Sequence, residues 1–104
     1  MTTSINSKPV LVPVDFSSHS EAALLCAAEL AGMLGSPLVI LHVVHDPGEA
    51  PGYYSVKGRD QQLQRMEDVA AEMLENFTRT MSENYPGLPA LQQATTMLVV
   101  GLPV

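Results

Sequence analysis

Three nearly unbroken aliphatic runs, at residues 9–16, 37–44 and 94–100, are set apart by segments long enough to hold helices. The first reads Pro9-Val10-Leu11-Val12-Pro13-Val14-Asp15-Phe16 and the second Pro37-Leu38-Val39-Ile40-Leu41-His42-Val43-Val44. Neither alternates polar with apolar residues. A continuous β-branched and aliphatic run fits a strand buried on both faces, as in a parallel sheet. Pro13 has no N–H to give to a ladder, so it should sit near a strand end or an irregularity.

The segments between the runs carry helix signals. Ser18-His19-Ser20-Glu21 has the Ser-x-x-Glu spacing of a capping box, which predicts a helix over about 18–34. Ala23, Ala27, Leu30 and Leu34, widened by Leu24 and Ala31, predict its apolar face, and Gly35 with Pro37 predicts its end. Residues 46–58 contain Pro47, Gly48, Pro51, Gly52 and Gly58, a loop composition. Leu63, Met66, Ala70, Met73, Phe77 and Met81 then recur at helical spacing, predicting a long amphipathic helix over about 60–84 that Tyr85-Pro86-Gly87 ends.

The predicted order is therefore a strand at about 9–16, a helix, a strand at about 37–45, a helix, and a strand at about 94–101, in one domain spanning 1–104. Crossovers between parallel strands are right-handed almost without exception. The expected class is α/β, an open, doubly wound parallel sheet.

Composition narrows the function. Eleven acids against five Lys and Arg give a net charge of −6, and no basic stripe occurs, so nucleic-acid binding through phosphate neutralisation is excluded. Six of the acids and two arginines fall on the long second helix. No apolar stretch is long enough to cross a bilayer and the polar start lacks a secretory signal, so a cytoplasmic, non-membrane protein is expected. Cys26 is the only cysteine, which rules out an internal disulfide and a zinc site built on several thiolates; amid alanines on a helix it reads as a small buried hydrophobe. The six methionines read as core filler.

Val10-Leu11-Val12-Pro13-Val14-Asp15-Phe16-Ser17, then Leu38-Val39-Ile40-Leu41-His42-Val43-Val44, then Leu98-Val99-Val100-Gly101-Leu102-Pro103 resemble the universal stress protein domain in identity, order and spacing. The match runs over essentially the whole chain after its first eight residues. This resemblance implies a parallel sheet of order 3-2-1-4-5 with helices on both faces, frequent dimerisation and, in a subset of members, binding of ATP or AMP. It implies that Pro13, Val14 and Asp15 hold the nucleoside end, with the aspartate near the ribose, and that Val43 contacts adenine through its backbone. In nucleotide-binding members a Gly-x-x-G segment, followed further on by Gly-Ser or Gly-Thr, holds the phosphates after the fourth strand. The sequence stops at Val104, before that strand. The expectation is a domain truncated after its third strand and lacking the phosphate-binding segment. Its first strand would then have an open edge, and the chain would pair or swap with a second copy as a homo-oligomer, or be marginally stable alone.

Each candidate residue also has a plainer role. From position alone, Asp15 reads as a turn or cap residue ahead of a helix; the resemblance adds the ribose. Ser17, Ser18 and Ser20 are explained by capping and form no glycine-rich phosphate cradle. His42 and His45, three apart on a strand, point to opposite faces and could share a metal only if His45 had left the strand. No metal site is expected. Asp15, Ser17 and His19 hold the residue types of a nucleophilic triad but are compressed into five positions, and no nucleophile-elbow pattern occurs. A phosphoacceptor receiver domain shares this start, yet Asp15 lacks an acidic neighbour and Gly101 stands where that fold needs an aspartate. The reading is an adenine-nucleotide-binding regulatory domain without turnover chemistry, or alternatively a dimerisation and interaction module that binds no nucleotide.

Overall fold

The computed structural model describes residues 8–45 and 56–101, with side chains described over 8–45 and 63–101. The elements are β1 (Val10–Pro13), α1 (Ser18–Leu34), β2 (Leu38–His45), α2 (Val56–Asn84), α3 (Pro89–Gln92) and β3 (Thr95–Gly101). The strands form one parallel sheet of order β1-β2-β3, with Val12 opposite Ile40 and Ile40 opposite Thr96. This is an α/β fold with the 3-2-1 part of the expected strand order.

The strand expected at 9–16 is shorter than the aliphatic run. Pro13 cannot donate, the Val14 N–H makes a last bond to the Leu41 carbonyl at 2.8 Å, and Phe16 takes a left-handed φ of 69°. The chain has turned away from the sheet by then. α1 starts where expected, but Ser17 rather than Ser18 is its cap, accepting from the Ser20 N–H. Gly35 closes the helix at φ 66°, a geometry that disfavours a Cβ, and the Ser36 N–H reaches back to the Ala31 carbonyl at 2.9 Å.

The buried face of α1 is Ser20, Leu24, Ala28 and Ala31. The stripe read from sequence is displaced by about one residue, and Leu30 and Leu34 remain about half exposed. Small apolar residues line α1 on several sides, so periodicity does not select one of two neighbouring stripes. Cys26 is exposed, contrary to the buried role expected of it. α2 begins at Val56, so 56–58 are helical rather than loop; the remainder of the expected loop, 46–55, lies outside the described residues. Its core side chains are Ala70, Leu74 and Met81, with Phe77 packed beside them; Leu74 was not in the predicted stripe, and Met73 is exposed. α3 was not anticipated. Pro89 sits at its start, where a missing N–H costs nothing, and Leu91 is fully buried.

One core forms, uniting Val12, Val14, Leu38 and Ile40 of the sheet with Leu24 and Ala28 of α1, Leu74 and Met81 of α2, and Leu91 of α3. The sheet residues share one parity, so the helices lie on one face. Two right-handed crossovers taken in the same direction across a sheet place their helices on the same side. The other face carries Leu11, Val39, Leu41, Val43, Met97 and Val99, and among the described residues no helix covers it; Leu11 is 56% and Met97 48% exposed. The continuous aliphatic runs are thus covered on one face rather than two.

Candidate functional site

β1 ends beside the start of α1, and the turn between them is built around one carboxylate. Asp15 Oδ1 accepts three hydrogen bonds, from the Ser17 N–H at 3.0 Å, the Ser17 hydroxyl at 2.5 Å and the Ser20 hydroxyl at 2.5 Å. The Ser17 hydroxyl in turn accepts from the Ser20 N–H at 3.2 Å. Bonds from Ser17, then Ser20, hold the Asp15 carboxyl down at about 2, against an ordinary value of 3.8, because each favours the charged form. The carboxylate is exposed and stays ionised at neutral pH. The capping role expected of Ser17 is present, and Asp15 both braces this turn and offers its second oxygen: no hydrogen bond reaches Oδ2 among the described residues. Ser18 is exposed and takes no part.

His42 faces the same turn from β2. Its Nδ1 lies 2.7 Å from the Val14 carbonyl, which can only accept, so this nitrogen carries a proton and donates it. The ring also packs on Phe16, centroid to centroid 4.5 Å, and Phe16 meets Phe77 edge-on at 5.6 Å. These contacts hold Phe16 in its left-handed conformation, the one positive φ among the described non-glycine residues. His45 is the last residue of β2, so its side chain and that of His42 leave the strand on opposite faces, although both residues border the cavities at its end. No hydrogen bond joins His19 to Asp15 or Ser17, and the Ser17 hydroxyl bonds the carboxylate directly, which is a cap rather than an activated nucleophile.

The residues singled out at the sequence level meet in one place. Pro13, Val14, Asp15 and Val43 line a cavity of about 440 Å³ at the carboxyl end of the sheet, together with Ser20, His42 and His45. Ser20, His42 and His45 are the additions that sequence reasoning missed as parts of the pocket; nothing in a lone serine or strand histidine signals a turn that closes five residues away or a carbonyl partner just past the end of another strand. Val43 is placed by strand geometry. The Leu41 carbonyl bonds β1, so two residues on, Val43 presents its own N–H and carbonyl to the same side, where β1 has already ended. Gly101 lies against it: a Cβ there would stand 3.0 Å from Val43 Cγ1, so the close approach of β3 favours glycine. An adjoining cleft of about 590 Å³, largely apolar, opens between the end of β2 and α2.

Comparison with known proteins gives a consistent picture. The chain is similar to the universal stress protein UspA from Lactobacillus plantarum, with 24% identity and a TM-score of 0.68, covering 94% of this chain and 63% of that one. It is similar also to a protein from the universal stress protein family from Burkholderia pseudomallei, with 24% identity and a TM-score of 0.60, covering 89% of this chain and 62% of that one. At such identity these likenesses speak for the fold, and the chain spans less than two thirds of either structure. A search of curated proteins found no match. The family model described as the universal stress protein family matches residues 6–100, nearly the full length, and the chain therefore belongs to the universal stress protein family.

Proposed function

We propose that this chain is a cytoplasmic stress-response regulatory domain that binds the nucleoside end of an adenine nucleotide, ATP or AMP, and performs no turnover of its own. The observation that carries the reading is the arrangement of Asp15. Its Oδ1 is held by three donors, no hydrogen bond reaches Oδ2 among the described residues, and Asp15 lines a cavity of about 440 Å³. A ribose hydroxyl donating to a pre-oriented, ionised carboxylate meets little ordering cost. The Val43 N–H and carbonyl, beyond the end of β1, suit the polar edge of a purine, and Pro13 and Val14 supply apolar wall. Phosphates would find no glycine-rich cradle in residues 1–104.

The test is calorimetric titration with adenosine, AMP and ATP. Saturable binding of similar strength for all three, abolished by Asp15→Ala in a sample whose circular dichroism shows it folded, is the expected result. Absence of heat from the folded wild type, or binding unchanged by Asp15→Ala, overturns the reading.

A second reading, an interaction module acting through a second copy, is favoured by the uncovered sheet face and by the outer edge of β1, which has no ladder partner among the described residues. An apolar face with Leu11 and Met97 about half exposed and no charged residue on its strands is self-complementary. Sedimentation velocity over a dilution series should show reversible association that Leu11→Lys removes; a monomer at every concentration counts against it.

A further inference from the structure

The cleft between the end of β2 and α2 is not used by either reading. Val69 and Met73 lie one turn apart on α2, 53% and 46% exposed, and both face this cleft rather than the core. Phe16, held at φ 69°, and Met66 complete an apolar lining. Strain at a non-glycine residue persists where its surroundings over-determine it, and here its ring forms part of a ligand-sized wall. The volume, about 590 Å³, lies inside the range of about 300–1,000 Å³ that small-molecule sites occupy.

Charge gives the cleft its selectivity. Arg65 stands one turn before Val69 and lines the cleft, and it has no ion pair among the described residues. The chain carries eleven acids and a net charge of −6, yet no carboxylate is among the lining residues described. An apolar trough with one unpaired guanidinium in an otherwise acidic protein fits a ligand with an apolar body and a single anionic end, because the guanidinium forks onto a carboxylate while the body displaces water from Val69 and Met73. We propose that this cleft binds a medium-chain fatty acid, its carboxylate on Arg65 and its chain along Phe16, Met66, Val69 and Met73. This site adjoins the nucleoside pocket, His42, Val43 and His45 bordering both, and differs from it in its α2 wall of Arg65, Met66, Val69 and Met73.

Decanoate and decanol, below their aggregation limits, test it with the full chain carrying methyl-labelled methionine. Decanoate should bind saturably and about tenfold or more tightly than decanol, the difference a charge-assisted hydrogen bond contributes. It should shift the Met66 and Met73 methyl signals and leave Met97, on the uncovered sheet face, in place. Arg65→Gln should bring decanoate down to the level of decanol without changing decanol, and Val69→Asp, at an exposed position, should remove both. Equal affinity for acid and alcohol, indifference to Arg65→Gln, shifts confined to Met97, or no saturable binding overturns the proposal.

Discussion

Asp15 and Ser20 exchange two hydrogen bonds: the Ser20 hydroxyl accepts from the Asp15 N–H at 2.7 Å and donates to Asp15 Oδ1 at 2.5 Å. Ser20 is the one buried polar residue among those described, 6% exposed, and it sits in the first turn of α1. The pair therefore fastens the end of β1 to the start of α1 and aims the carboxylate at the same time. A side chain that braces the fold and one that meets a ligand are here the same side chain.

The carboxyl of Asp15 should titrate near 2 in a carbon-detected NMR titration. Its folded value is depressed, so its contribution to stability is fully present above about 3.8 and is lost as pH falls through about 2. Ser17→Ala should move the midpoint back toward 3.8, by more than Ser20→Ala does, since Ser17 is the larger cause. A midpoint unmoved by either substitution would show that the network does not form.

Sheet coverage on one side predicts a sharp asymmetry between neighbours. Ile40, fully buried beneath the helices, should lose about 2–5 kcal/mol on truncation to Ala. Leu11→Ala, on the uncovered face, should change stability by about 0.5 kcal/mol or less in the monomer. Urea midpoints at constant m-value measure both. Equal losses would mean that the second face is covered.

Gly32 lies in α1 with open space around it, nothing standing within 4 Å of an added Cβ. Gly32→Ala should stabilise the protein by about 0.5–1 kcal/mol through helix propensity. Gly35, at positive φ, should respond in the opposite sense to the same change. Thermal unfolding of the two variants side by side reads both signs.

Thr78 Oγ1 is buried on α2 without a hydrogen-bond partner. Replacing it by Val keeps the shape and removes an unmet polar group, so Thr78→Val should leave stability unchanged or raise it by up to about 1 kcal/mol. A loss beyond that in chemical denaturation would reveal a partner for the hydroxyl.

Much of this protein was legible along the chain. The aliphatic runs, the Ser-rich turn, Gly35 and the heptad-like spacing of α2 are local signals, each rooted in backbone sterics or side-chain periodicity, and they placed three strands and the two long helices within a few residues. The first-strand motif and Val43 marked residues that do meet in one pocket. What the chain could not show alone depends on handedness and register. Two right-handed crossovers in one direction left a sheet face bare, where continuous aliphatic runs had implied two covered faces. The choice between adjacent stripes on α1, the exposure of Cys26, and the union of Ser20 and His42 with Asp15 were likewise settled by packing, because α1 is apolar on several sides and its rotation is set by what its first turn is tied to. Local chemistry determined the elements and the candidate residues; only the tertiary structure decided which side of each element is buried and which lone pairs remain free.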